Sequence, residues 1–258
     1  MSVTPATRVA MVRPPRAHVS HAITDVRAEP DDGSELVDQF HAGEALTILG
    51  ESGEWAYVQG EDLYFGWVHR QFIRRDPHPS RQILVAFHNA PLRREPEATS
   101  EVIGDLAAGV AGYVVEKGWL RCADGWVAIA DTIANDGLPQ RYPTPEDLIA
   151  TAESFLGVPY LWGGTSARGI DCSGLTQQVY RLNGVGLDRD ADQQALGGRP
   201  VDAARPGDLF FFGTERVTHT AIATGERTFI HAPESGKTVQ PGEISDPSRV
   251  RAIRRYLP

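Results

Sequence analysis

Gly169-Ile170-Asp171-Cys172-Ser173-Gly174-Leu175 is the stretch from which the rest of the chain can be read. It runs into a helical pattern. Leu175 and Val179 lie four apart on one face, and Gln177, Gln178 and Arg181 fill polar positions. Cys172 is therefore expected in the first turn of a helix. Free N–H groups and the positive end of the helix dipole there are expected to lower a thiol pKa, and the thiolate is the nucleophile. A cysteine is more often a small buried hydrophobe. Asp171, Ser173 and Gly174 crowd this one with polar and small neighbours, which weakens that reading.

A nucleophilic thiol needs a base, and the base needs a group to orient it. Downstream, Val217–Ala223 reads as a strand carrying His219, and Thr228–Ala232 as a second strand carrying His231. The Gly225-Glu226-Arg227 turn between them predicts a hairpin, which would set the two imidazoles side by side. One can take the thiol proton while the other holds its tautomer. One cysteine and two histidines could also bind zinc, but no C-x-x-C or H-E-x-x-H cluster supports a metal. With Leu209–Phe212 and a tail at Val250–Tyr256, these strands predict an antiparallel sheet. Upstream, Pro145, Glu146 and Asp147 precede Leu148, Ile149, Ala152 and Phe155 at helical spacing, and Gly157 and Pro159 end the helix. Helix followed by strands gives an α+β domain over 141–258.

Before it lies a duplication. Val26-Arg27-Ala28-Glu29-Pro30 is echoed by Leu92-Arg93-Arg94-Glu95-Pro96, and Ser34-Glu35-Leu36-Val37 by Ser100-Glu101-Val102-Ile103, each 66 residues on. Gly66-Trp67-Val68 returns as Gly125-Trp126-Val127. Short alternating stretches between Gly, Pro, Asp and Asn turns predict two small β-barrels, 18–76 and 81–135. An arm (1–17) precedes them, Pro77-His78-Pro79 separates them, and Asp136–Pro145 reads as the linker to the third domain.

Composition narrows the functional classes. The chain has 258 residues, 41% of them hydrophobic, which supports packed cores, and a net charge of −9. No basic patch is visible, so nucleic acid is not an expected partner. No window reaches the length of a membrane span, and Arg8, Arg13, Pro14, Pro15 and Arg16 interrupt any secretory signal. A cytoplasmic monomer is expected. Two cysteines, Cys122 and Cys172, cannot form a disulfide framework, and a bridge between them is not favoured.

Together these motifs carry a resemblance. Pro159-Tyr160-Leu161-Trp162-Gly163-Gly164, then Asp171-Cys172-Ser173-Gly174-Leu175, then a Pro206-Gly207-Asp208-Leu209 strand start and two histidines on the following strands, resembles the NlpC-type papain-like cysteine peptidases of bacterial cell-wall peptides. The resemblance covers about 145–258. It implies Cys172 as nucleophile, His219 as general base, His231 as the third polar residue and Tyr160 beside the oxyanion. The paired β units resemble bacterial SH3-like domains. SH3-like units ahead of such a peptidase resemble the γ-D-glutamyl-L-diamino acid endopeptidases, which act on released stem peptides with a free N-terminal L-Ala. That implies a small peptide partner, no cofactor, and carboxylates around the ammonium. Asp190, Glu35 (with Glu29 as its rival) and Tyr64 are the implied contacts, and Asp171, Ser173 and Trp162 are implied to line the cleft. Many relatives carry a hydroxyl residue where this chain has Ala191. The competing expectations are a secreted hydrolase of intact wall, a non-catalytic wall-peptide binding module, and an acyltransferase or amidase on the same fold.

Overall fold

The computed structural model describes residues 16–75, 83–85, 90–106, 111–112, 114–122, 125–134 and 143–258. The expected arm up to residue 15, the Pro77-His78-Pro79 separator and most of the 136–145 linker lie outside them. Strand β1 (Arg16–Val19) already belongs to the first barrel, so the arm is shorter than expected. β2 (Ile23–Arg27), β3 (Leu36–His41), β4 (Ala45–Ser52), β5 (Trp55–Gln59), β6 (Phe65–His69) and β7 (Ile73–Arg74) complete one antiparallel sheet, ordered β3-β2-β6-β5-β4-β1-β7. Alternate residues point inward and close a core of Val19, Val26, Phe40, Leu46, Ile48, Val58 and Val68.

The next 50 or so residues repeat this order. β8 (Ile83–Val85), β9 (Ala90–Arg93), β10 (Val102–Leu106), β11 (Ala111–Gly112), β12 (Val114–Glu116), β13 (Trp119–Cys122), β14 (Gly125–Ala128) and β15 (Thr132–Ala134) form the sheets β10-β9-β14-β13-β12 and β11-β8-β15. β4 carries a register irregularity between Ile48 and Gly50. The repeated residues do the same work twice. Arg27 donates to Ser34 O and Arg93 to Ser100 O; the Glu29 and Glu95 amides donate to Ser34 Oγ and Ser100 Oγ. The repeated glycine is steric: a Cβ on Gly66 would sit 2.3 Å from Val26 Cγ1, and one on Gly125 would sit 2.7 Å from Arg93 O. Cys122 is buried in the second core, and burial pushes its thiol up to about 12.

In the third domain α1 (Pro145–Ser154) starts with a capping box, Thr144 and Asp147 each accepting the other's backbone N–H. A short ribbon, β16 (Thr165–Ser166) with β17 (Gly169–Ile170), leads into α2 (Cys172–Leu182) and a single helical turn, α3 (Ala191–Gln194). β18 (Arg199–Pro200), β19 (Leu209–Gly213), β20 (Val217–Ala223), β21 (Thr228–His231), β22 (Gln240–Glu243) and β23 (Val250–Arg255) form an antiparallel sheet ordered β18-β23-β19-β20-β21-β22. One face packs Leu209, Phe211 and Ile222 on Leu175, Val179 and Leu148; the other packs Phe210, Ala221 and Phe229 on Ile244.

Helix α2 differs from its expected two-faced pattern. Gln177 and Gln178 are buried, because the first barrel covers the side read as solvent-facing. Gln177 donates to Asp62 of the β5–β6 loop, and Arg181 pairs with Glu44 at 2.5 Å. Thr165 hydrogen-bonds Gln39 and His41 of β3. Gly163, at φ +73, lies so close to Leu36 O that a Cβ would clash at 2.4 Å. The first barrel and the third domain thus share one polar, closely packed interface.

Candidate active site

Asp171 is the N-cap of α2 and holds Cys172 at the first helical position. Its Oδ1 accepts the Gly174 amide at 2.7 Å, and its Oδ2 accepts the Gly163 amide at 2.9 Å. Arg189, 1% exposed, locks this cap. Its Nη1 and Nη2 donate to the two Asp171 oxygens at 3.1 and 2.8 Å, and its Nε donates to Asp38 of the first barrel at 2.6 Å. Nη1 also reaches Ser173 Oγ, whose own proton goes to Asp171. Asp171 and Ser173 were expected as substrate contacts. Both line the cavity, and their side-chain polar atoms are also engaged internally, holding the nucleophile's turn. Arg189 and Asp38 escaped sequence reasoning. The available signal was a lone cation beside Asp190.

Cys172 lines the pocket and is partly buried. Burial, with Asp171 next to it, pushes the thiol up to about 12, while the amides of Thr220 and Ser173 pull the other way. The expected lowering by the helix terminus is outweighed by desolvation. His219 Nε2 and His231 Nδ1 are 2.8 Å apart. Ile222 pairs with Ile230, so this contact is the diagonal neighbour pair of the hairpin rather than a directly opposed one. Burial lowers both imidazoles to about 4; His231 adds to the effect on His219, and Lys237 to that on His231. The resting site therefore holds a thiol and two neutral rings. No thiol–imidazole hydrogen bond joins them among the described residues. Such bonds commonly tighten only when substrate arrives. In the tautomer whose His219 Nε2 carries the proton toward His231, Nδ1 is left as the base. Tyr160 is half-buried and its phenol is pushed up by burial and by Cys172, so it stays a neutral donor near the sulfur.

The far end of the pocket comes from the first barrel. Tyr64 OH donates to Asp190 Oδ2 at 3.1 Å, and Trp162 Nε1 donates to Glu35 Oε1 at 2.8 Å. A tight loop with Leu63 at φ 69 presents Tyr64. Burial raises the Asp190 carboxyl and the Tyr64 phenol. Glu35, Tyr64, Tyr160, Trp162, Cys172 and Asp190 all line one cavity of about 430 Å³. Glu29, the rival of Glu35, lies outside that lining, in the β2–β3 turn. His219 and His231 open onto an adjoining cavity that shares Thr218 with the first. No group of three or more His, Cys, Asp or Glu among the described residues is placed to hold a metal ion.

A thiol at a capped helix start, an imidazole pair on the neighbouring hairpin and a barrel closing the cleft agree with the comparisons. The NlpC/P60 family profile matches residues 157–255, and that of the bacterial dipeptidyl-peptidase SH3 domain matches 26–72. A γ-D-glutamyl-L-lysine dipeptidyl-peptidase of Bacillus cereus is 30% identical over 88% of this chain and 77% of its own length. The chain belongs to the NlpC/P60 family. It is a cysteine peptidase with an SH3-like N-terminal domain. The protein of the same name from Bacillus subtilis is 29% identical over 77% of this chain and 72% of its own length. The crystal structure of an NlpC/P60 family protein from Bacillus cereus shares the fold with a TM-score of 0.82, covering 94% of this chain and 100% of that one at 23% identity. The SH3 profile matches once, over the first barrel; the second unit repeats its strand order without a match of its own.

Proposed function

We propose that this NlpC/P60 peptidase hydrolyses the γ-D-glutamyl–diamino acid bond of free peptidoglycan stem peptides whose N-terminal L-Ala is unblocked. The observation that carries the reading is the two-ended cavity. Cys172 stands at one end. At the other, Glu35, Asp190 and Tyr64, drawn from two domains, offer acceptor oxygens to an ammonium. Tyr64 donates its only proton to Asp190 and Trp162 donates its own to Glu35, so the remaining lone pairs face N–H donors. An ammonium drawn into the cavity without such partners is costly, and an acylated nitrogen would bring no charge to offset the Glu35 and Asp190 carboxylates. The names of the two Bacillus relatives support the same bond.

In the proposed mechanism, the Cys172 sulfur attacks the γ-glutamyl carbonyl carbon as its proton passes to His219 Nδ1. Tyr160 and the amides at the α2 start stabilise the oxyanion. The C–N bond breaks as His219 returns that proton to the leaving amine. Water, deprotonated by His219, then releases the acyl group and restores the thiol. Selecting a free amine suits turnover peptides, because the L-Ala nitrogen of intact wall is acylated. The protein would accordingly work in the cytoplasm on recycled peptides. One chain supplies every wall of the cavity, which fits a monomer. We read the second unit as another SH3-like module on its matching strand order.

Mass spectrometry of products from L-Ala-γ-D-Glu-diaminopimelate tests the bond assignment. The expected products are L-Ala-γ-D-Glu and diaminopimelate, and none with Cys172→Ala. Cleavage at the Ala–Glu bond, or persistence of activity in Cys172→Ala, contradicts the assignment.

A further inference from the structure

The group that protonates a leaving amine must reach it from the leaving side of the scissile bond. That places the departing residue beside His219, in the adjoining cavity of about 430 Å³. Phe212 and Phe229 form an apolar floor there, ring centroids 5.4 Å apart, with the His231 ring edge-on to Phe229. Around the floor stand ionic groups that the reaction as described does not use. Glu243, at the end of β22, makes no side-chain hydrogen bond or ion pair among the described residues. Arg249, at the end of the short turn before β23, is exposed on the same rim, and its guanidinium is likewise unpaired among them. The neighbouring Asp246 feels its charge without forming an ion pair with it: Asp246 Oδ1 accepts from Ser248 N at 3.0 Å and Ser248 Oγ at 2.6 Å. Arg249 is nonetheless near enough to His219 for its charge to act on the ring.

Glu234 on the same lining is paired with Lys237, so among the described residues an apolar floor flanked by the unpaired Arg249 and the unpaired Glu243 fits an aliphatic chain bearing both an amine and a carboxylate. We propose that this cavity receives the diamino acid released by cleavage, and that Arg249 determines specificity there by binding a carboxylate on it. The guanidinium fork matches a carboxylate in two parallel hydrogen bonds, and its long stem lies along the rim. The proposal rests on the substrate reading above and names what that reading leaves open, the group preferred beyond the cut.

The test compares three peptides that share L-Ala-γ-D-Glu. One ends in L-lysine amide, with no carboxylate beyond the cut. A second ends in L-lysine acid, with only the main-chain carboxylate. The third ends in diaminopimelate amidated at its main chain, with only the side-chain carboxylate. The wild type is expected to prefer at least one carboxylate-bearing peptide over the lysine amide in kcat/KM. Arg249→Gln is expected to shrink that preference about fivefold, and Arg249→Lys to retain part of it. The peptide whose preference collapses identifies the carboxylate. A change acting only through His219 would lower all three rates by one factor and leave the ratios intact; that result, or no wild-type preference, overturns the proposal. If the wild type cleaves none of the three, the substrate reading falls first and this proposal with it.

Discussion

His219 and His231 share one hydrogen bond that requires a donor on one nitrogen and a lone pair on the other, so a second proton between them breaks it. Both rings titrate at about 4 in the folded protein, against 6.5 for a free imidazole. The sign follows from linkage. Between 6.5 and 4 the unfolded chain binds more protons than the folded one, so stability is full above 6.5 and is lost as the pH falls toward 4. Urea midpoints are expected to fall through that window, and to fall less in His231→Asn. The acid limb of kcat/KM is expected below pH 5; a limb centred near 6.5 would mean that the rings are not desolvated as described. At this scale much was legible. The position of Cys172 at a helix start and the meeting of the two histidines follow from local pattern. The height of the thiol pKa does not, because the dipole effect is local while desolvation depends on everything packed around the sulfur.

Among the elements, α2 is the one held from both sides. Its apolar stripe meets the sheet, and its polar side meets the first barrel through Gln177–Asp62, Arg181–Glu44 and the Asp171–Arg189–Asp38 bridge. Arg189→Met leaves the two carboxylates of Asp38 and Asp171 buried without their cation. Such a loss costs about 3–5 kcal/mol. Urea unfolding should show that deficit, and kcat should fall with it because the cap of Cys172 loosens. A loss below about 1 kcal/mol would show that the bridge does not hold the cap. This joint is the part the sequence hid. Arg189 and Asp38 lie 151 positions apart, and no periodicity links them. The glutamines of α2 looked solvent-facing because a polar stripe reads the same whether water or another domain's polar groups covers it.

In the whole molecule, two β units share a strand order but differ in what they face. The paired turns keep their internal hydrogen bonds, yet Glu35 faces Trp162 whereas its echo Glu101 pairs with Arg94 at the surface. Among the described residues, the cleft is closed from the first barrel. The repeat was visible because it is written twice in the chain. That the first copy serves the site was implied by the resemblance, through Glu35 and Tyr64, and not by the repeat itself, since docking decides it. If barrel and peptidase domain form one cooperative body, amides of β3 and α2 should share one opening free energy in native-state hydrogen exchange. An independent, lower-energy opening of β3 would refute the shared body.

Selection of a free ammonium at the Glu35–Asp190 end of the cavity is the central claim. The decisive measurement is the ratio of kcat/KM for L-Ala-γ-D-Glu-diaminopimelate to that for its N-acetylated form. A ratio of at least about a hundred is expected, because the half-buried Asp190 carboxylate is left without its charged partner, with a marked fall in Asp190→Asn. Equal rates on the two peptides would contradict it.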